Sequence, residues 1–499
     1  MDVAKKETKV LAVDFGASSG RVMLGIFDGE KIRAEEIHRF SNDPVIVNGT
    51  MYWDVLRLFH EIKQGLIKAK PYGDVDSIGV DTWGVDFGLL DEKGYLLENP
   101  VHYRDGRTEG MLEKGFSLIP KERFYEMTGN QFMEINTAFQ LLSLKEQRPE
   151  LLQRADCLLL MPDLFNYFLS GVKKSERSIV STTQMSNPCE PGWVMEVAEK
   201  FGIPKNIFTE VVPTGTLLGP IRKEIQEELG VADMDVVAVA GHDTQCALTA
   251  VPAKEDDFIF VSCGTWSLFG TELEKPVLTK QSEELNITNE TGTDGRTSFL
   301  KNIIGLWLIQ ESRRQWMREG KEYSFSELEK LAEGAEPFQS FIDPDAPEFT
   351  PAGDVPKRIR EYCMCTGQKV PETEGEIVRC INESLALKYR YTLEELKICT
   401  GKEYHAVHMV GGGIQSKLLC RFTAHASGIP VIAGPVEATV FGNIAIQLMS
   451  KGAIKDLKEA RKVIANSEKP VVYEPENRAE WDKAYEFYKK EILKKQAGN

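Results

Sequence analysis

Between Asp14 and Arg21 the chain carries only Phe15 and the small residues Gly16, Ala17, Ser18, Ser19 and Gly20. A run this small makes a tight turn whose backbone N–H groups can approach an anion closely, as phosphate nests require. A carboxylate at Asp14 can hold Mg²⁺ through water, because that ion keeps most of its waters when it bridges phosphates. An ordinary glycine turn explains the same residues, and the run has neither the lysine of a P-loop nor the spacing of a dinucleotide fingerprint. A second run, Gly241-His242-Asp243-Thr244, follows the apolar stretch Asp235 to Ala240. A carboxylate where a strand meets a helix can take the proton of a hydroxyl as that hydroxyl attacks phosphorus. It can equally serve as a helix cap. His242 reads as its hydrogen-bonding neighbour. Gly411-Gly412-Gly413 leaves space for a flat ring such as adenine, or is a plain glycine loop. Trp83-Gly84 and Tyr103-Arg104-Asp105-Gly106-Arg107 offer aromatic faces, carboxylates and guanidiniums suited to a polyhydroxylated ligand, although buried tryptophans and charged loops are common.

The elements that must position these groups follow from the apolar pattern. Lys9 to Phe15, Arg21 to Phe27 and Lys31 to Phe40 read as strands, and Ser77 to Val80 as a buried strand. Trp53 to Ala69 has apolar residues at helical spacing: Val55, Leu58, Phe59, Ile62 and Leu66. Lys121 to Leu229 reads as mostly helical, with loops at Pro188, Pro191-Gly192 and Pro213. After the polar linker Pro252 to Asp257 the opening plan recurs: strand Phe258 to Ser262, turn Cys263 to Trp266, strand Ser267 to Leu273. Such a repeat predicts two related lobes. A strand at Ala406 to Val410 leads into the triple glycine, a helix follows from Ser416 to Ser427, and long helices fill Glu374 to Cys399 and Ala438 to Lys451. The last helical segments run over Arg478 to Lys495.

With 499 residues the chain exceeds what one core supports, so two domains are expected, divided near 250–257. A formal charge of -16 argues against undirected binding to nucleic acid or anionic membrane. The apolar runs are too short to span a bilayer, and Met1 to Lys9 lacks the pattern of a secretory signal, so a cytoplasmic location is expected. Nine cysteines point to reduced thiols. A metal at Cys363, Cys365 and Cys380 would need a fourth ligand that the nearby sequence lacks, and the spacing leaves open whether any of the three pair.

In order along the chain, the diagnostic segments are VDFGASSGRVML (13–24), GVDTWGVDF (79–87), YRDGRT (103–108), LMPD (160–163), HDT (242–244), SCGTWSL (262–268), LKNIIGLWLIQ (300–310), VGGGIQ (410–415) and VIAGPVEA (431–438). Together they resemble the FGGY carbohydrate kinases, which share the ATPase fold of actin and hexokinase, and among these the rhamnulokinases most. The resemblance spans nearly the whole chain. It implies an α/β protein of two ribonuclease-H-like (actin/hexokinase-type) domains, with mixed sheets flanked by helices and an active site in the interdomain cleft. Residues 1–250 would form a sugar-binding lobe with the phosphate hairpin, and 257–499 a nucleotide-binding lobe. The implied reaction is transfer of the terminal phosphoryl group of ATP, with Mg²⁺, to O1 of L-rhamnulose. In that reading Ala17, Ser18, Ser19, Gly20 and Arg21 meet the phosphates, and Gly84, His242, Asp243, Thr244 and Asn302 hold the sugar. Asp243 is the catalytic base, Thr265, Gln310 and Gly412 hold the nucleotide, and Asp14 carries the metal through water. The partners are then a small sugar and ATP, and a monomer is expected. Cys263, Gly106 and Gly241 depart from the family pattern, in which serine is familiar at those positions; none of the three removes a catalytic group. The rival readings are a kinase for another ketose, such as L-fuculose or D-xylulose, and a catalytically silent sugar sensor of the same fold.

Overall fold

Strand β1 (Thr8–Phe15) is apolar along its length, and Val10, Leu11, Ala12 and Val13 are fully inaccessible in the computed structural model, which describes residues 7–190 and 192–493. A strand with both faces covered is what a continuous apolar run predicts. Of the sequence expectations, most of Met1 to Lys9, Pro191 and the Lys494-Lys495 end of the last helix lie outside the described residues.

The chain forms two compact units, the first comprising Met1–Ala250, Glu272–Phe299 and Ala438–Glu468, the second Val251–Thr271, Leu300–Glu437 and Lys469–Asn499. This differs from a single cut into 1–250 and 257–499, because two later segments return to the first unit. The physical reason is plainest in the Ala438–Ser450 helix, which is buried almost all round. A helix without a polar face must be covered on every side. Here its Gln447 donates to the Leu11 carbonyl and accepts from Ser77 Oγ, at 2.9 and 2.7 Å, and its Asn443 donates to Asp81 at 2.6 Å.

In the first unit, β2 (Ser19–Phe27) pairs antiparallel with both β1 and β3 (Ile32–Ser41). On its other side β1 runs parallel to β4 (Ser77–Thr82). With β5 (Thr216–Pro220) and β6 (Asp235–Ala238) the order is β5-β6-β4-β1-β2-β3, β6 running parallel to β4 and β5 antiparallel to β6. The Val55–Ala69 helix buries Val55, Leu58, Ile62 and Leu66, as their spacing requires. It starts two residues later than expected, since Asp54 caps it by accepting the Arg57 N–H and leaves Trp53 outside.

In the second unit, β7 (Ile259–Cys263) pairs antiparallel with β8 (Trp266–Leu273). The order there, after the edge strand Thr288–Thr291, is β9 (Thr297–Ile304), β8, β7, β10 (Val407–Val410), β11 (Val431–Ala433), β12 (Val471–Tyr473), with β7, β10 and β11 mutually parallel and β12 antiparallel. The hairpin followed by parallel partners repeats the plan β2-β1-β4-β6-β5, so the recurrence read from the sequence is a recurrence of topology.

Candidate active site

In the first unit three parallel strands end together. Asp14 closes β1 beside Asp81 on β4, and Thr82 bridges to His242 while donating its N–H to the Gly241 carbonyl at 2.9 Å. The carboxyl ends of parallel strands are where open α/β sheets gather ligand groups. Asp243 is the first residue of the Asp243–Thr249 helix, and His242 is its N-cap.

The charges here are crowded. One oxygen of Asp14 accepts both Nε and Nη2 of Arg21, at 3.0 and 2.8 Å. Burial, reinforced by Asp14 and by Asp243, drives the Asp81 carboxyl well above the usual range against the opposing hydrogen bond from Asn443. Burial is also the main reason Asp243 is raised to about 6; His242 and the Thr244 contacts pull it down, while Asp14 pushes it up. The Thr244 N–H donates to Asp243 Oδ1 at 2.6 Å. Burial pulls the His242 imidazolium down, but Glu290, Asp243 and Glu176 outweigh it and hold His242 above its ordinary value.

The turn from Gly16 to Ser18 is closed by a bond from the Gly16 N–H to the Ser19 carbonyl at 2.9 Å, and Asn42 donates its side-chain amide to the Gly16 carbonyl at 2.9 Å. Gly20 has a packing reason beyond approach to an anion: a Cβ there would lie 2.3 Å from the Phe40 ring. Gly241, where serine is familiar, has one too, since a Cβ would lie 2.8 Å from Pro162. Gly84 precedes Val85, whose φ of 68° is costly for a β-branched residue. Thr182 Oγ1 accepts the Val85 N–H at 3.2 Å, and Thr137 Oγ1 donates to the Val85 carbonyl at 2.6 Å, which holds the turn.

The aromatic segment differs from its expected role. Trp83 and Tyr103 are buried rather than presented to a ligand, and the indoles of Trp53 and Trp83 both donate to Asp86 Oδ2, at 2.6 and 3.0 Å. Tyr103 N–H meets the same oxygen at 3.2 Å, and Gln140 donates to Oδ1 at 2.9 Å. The strand that leads into Gly241 is legible in the sequence; Glu176, whose Oε2 accepts the Gly241 N–H at 2.9 Å, is not. Glu176 also caps the Arg177–Val180 helix and receives Thr214 Oγ1.

The second unit gathers the other expected residues. Thr265 follows the end of β7, and its hydroxyl lies 3.2 Å from Gln310 Oε1 on the Trp307–Arg318 helix. Gly411 (φ 88°) starts the turn at the end of β10, and that turn lies against Cys263. A Cβ on Gly413 would be 2.3 Å from Cys263 Sγ, whereas one on Gly412 meets nothing within 4 Å, so Gly412 is the open face of the turn. Asn302 lies on β9. Thus Asp14, Ala17 to Arg21 and His242 to Thr244 gather at the carboxyl ends of the first sheet's parallel strands, and Thr265, Gln310 and Gly412 at the corresponding ends in the other sheet.

All nine cysteines are free thiols. Among the described residues no three His, Cys, Asp or Glu side chains form a ready metal-ligand set, and no helix is long and apolar enough to cross a membrane.

Residues 9–250 match the N-terminal domain of the FGGY family of carbohydrate kinases, and 259–450 its C-terminal domain. The rhamnulokinase of Bacteroides thetaiotaomicron is 43% identical over 479 residues, covering 96% of this chain and 98% of the relative. The rhamnulokinase of Bacillus subtilis is 39% identical over 467 residues, covering 93% and 95%. Among solved structures, a ligand-bound xylulose kinase from Lactobacillus acidophilus aligns with a TM-score of 0.79 at 16% identity, over 99% of both chains. Plasmodium falciparum glycerol kinase with ADP aligns with a TM-score of 0.77 at 15% identity, over 97% of both. At such identities these last two report the fold alone.

Proposed function

Since the chain belongs to the FGGY family of carbohydrate kinases, we propose that it transfers the terminal phosphoryl group of ATP to O1 of L-rhamnulose, giving L-rhamnulose 1-phosphate and ADP. The observation that carries the chemistry is Asp243: a half-buried carboxylate raised to about 6, after a parallel strand and at the start of a helix. A base with that pKa is largely ionised at neutral pH and still basic enough to take a proton. The choice of sugar rests on the curated rhamnulokinases, of which two share 43% and 39% identity over nearly the whole chain.

In this reading the ketose lies against Gly84, His242 and Thr244 with its O1 hydroxyl at Asp243, and Asn302 also contacts it. As O1 forms its bond to the γ-phosphorus, the bond from that phosphorus to the bridging oxygen breaks and ADP departs with the electron pair. The O1 proton passes to Asp243. The hairpin from Ala17 to Arg21 takes the phosphates, while Thr265, Gln310 and Gly412 take the remainder of the nucleotide. Phosphoryl transfer asks chiefly for positioning and charge stabilisation.

Asp81 is fully buried, and both Asp14, with which it shares a hydrogen bond, and Asp243 raise its carboxyl. Negative charge gathered there suits a divalent cation that keeps its waters, without direct ligation by all three carboxyls. Asp14 would hold Mg²⁺ through water, and the ion when bound supplies neutralisation of the phosphate charge.

The test is ADP release with Mg-ATP against L-rhamnulose, L-fuculose and D-xylulose. A marked preference for L-rhamnulose is expected. Preference for another ketose would discard the sugar and keep the kinase, and binding without turnover would favour a sensor.

The nucleotide side has its own test. Gly413→Val forces a side chain into the Cys263 sulfur and its carbonyl oxygen, 2.3 and 2.7 Å from the Cβ position, and so displaces the turn that carries Gly412. The KM for ATP is expected to rise about tenfold, corresponding to ~1.4 kcal/mol, with the KM for the ketose little changed. Equal loss on both substrates would argue against the assignment of this turn to the nucleotide.

A further inference from the structure

His242 is supported from behind by a residue that no local sequence feature marks. Its Nδ1 lies 2.9 Å from Oε2 of Glu290, on the buried strand Thr288–Thr291. The same oxygen accepts Nε2–H of Gln245 at 3.0 Å. Gln245 is itself fixed, because its Oε1 receives the Ser298 hydroxyl at 2.8 Å, which sets the amide with its N–H groups toward Glu290. Oε2 already serves as the acceptor of the Gln245 N–H, so the matching imidazole form carries its proton on Nδ1.

With Nδ1 committed to Glu290, Nε2 turns toward Asp243 and stands 3.5 Å from its Oδ1. That separation is too long for a strong hydrogen bond. It leaves a point from which one hydroxyl oxygen can reach both atoms. The other charged groups facing His242 are Asp243, on its own helix, and Glu176, which holds the preceding Gly241.

We propose that Glu290 is a positioning residue for phosphoryl transfer, acting through His242: it fixes the Nδ1–H form of the ring so that Nε2 and Asp243 Oδ1 converge on the hydroxyl that attacks phosphorus. The proposal rests on the reading of Asp243 as the base. Glu290 itself touches neither the sugar nor the phosphate.

The experiment is a double-mutant cycle in the full chain with Glu290→Ala, His242→Asn and the pair, reading kcat and KM separately for ketose and ATP. Glu290→Ala is expected to lower kcat/KM for the ketose by about tenfold or more through misorientation of His242, with the KM for ATP unchanged. Added to His242→Asn, it should cost less than about a further twofold, because both changes remove the same contact. Turnover equal to wild type, or a double variant that loses the product of the two single losses, would overturn the proposal. Glu290→Gln preserves the shape and carries the same cycle if the alanine variant fails to fold. Absence of ketose turnover in the wild type is a failure of the kinase reading, visible before any substitution. The imidazole ¹⁵N shifts of His242 then decide the contact without substrate: a proton on Nδ1 in the wild type, lost in Glu290→Gln, supports it, and a bare Nδ1 in the wild type overturns it.

Discussion

Asp243→Asn is expected to lower ketose-dependent ADP release by ~10² to 10⁴, the usual worth of a general base, while ketose binding stays within a few-fold of wild type. The amide keeps the size of the carboxylate and can still accept from the Thr244 N–H, which in the wild type lies 2.6 Å from Oδ1. What it loses is the capacity to take a proton. The wild type should also show an acidic limb in kcat/KM. Asp243 is raised to about 6, so the ionised form that acts as base is dominant above that pH and falls tenfold per unit well below it. Activity therefore rises with pH through about 6 and levels off, and the limb should be missing from the residual activity of the variant. A variant that keeps more than a tenth of wild-type turnover, with the same acidic limb, would assign the base elsewhere.

Gly442→Val is expected to be the most damaging single change away from the chemistry. A Cβ at Gly442 would lie 1.8 Å from the Cys246 carbonyl oxygen and 2.5 Å from its carbon. These are backbone atoms of the Asp243–Thr249 helix and cannot swing aside as a side-chain tip would. Overpacking of a filled interior costs ~1 to 3 kcal/mol and at times more; at a contact this short about 3 kcal/mol or more is expected. At ~2 to 4 °C per kcal/mol for bodies of about 150 to 250 residues, and less for a larger one, the melting temperature should fall by up to roughly 6 to 12 °C. Gly334→Ala is the control, because a Cβ there meets nothing within 4 Å and its melt should coincide with that of the wild type. Coincident melts for Gly442→Val and wild type would mean that the two helices separate at little cost.

The parts of the fold that were legible were those whose pattern is local. β1 and the Val55–Ala69 helix follow from an apolar run and from helical spacing, and Gly16 to Gly20 had to be a turn. The Ala438–Ser450 helix was legible as a helix, but its destination was not: an all-round apolar surface says that it is buried and not against which sheet. The site divides in the same way. Asp243 and His242 are marked by their place after a strand, whereas Glu176 and Glu290 reach the same loop from 65 and 48 residues away. Neither has a neighbour in sequence that announces its task. Trp83 and Tyr103 were readable as an aromatic group, but only the tertiary structure shows that Asp86 occupies the indole N–H groups of Trp53 and Trp83.

The return of Ala438–Glu468 to the first unit has a consequence for biosynthesis. When Ala250 emerges from the ribosome, the Leu11 carbonyl, Ser77 and Asp81 have yet to meet Gln447 and Asn443, which lie roughly 190 residues downstream. At ~5 to 20 residues per second, that leaves one side of a finished sheet waiting for some ~10 to 40 s. A nascent chain in this interval presents apolar surface and unpaired polar groups together, the condition in which a chaperone is recruited. By the same logic, a fragment ending at residue 250 would be made without its own lid and should gather in the insoluble fraction, however well its strands are formed.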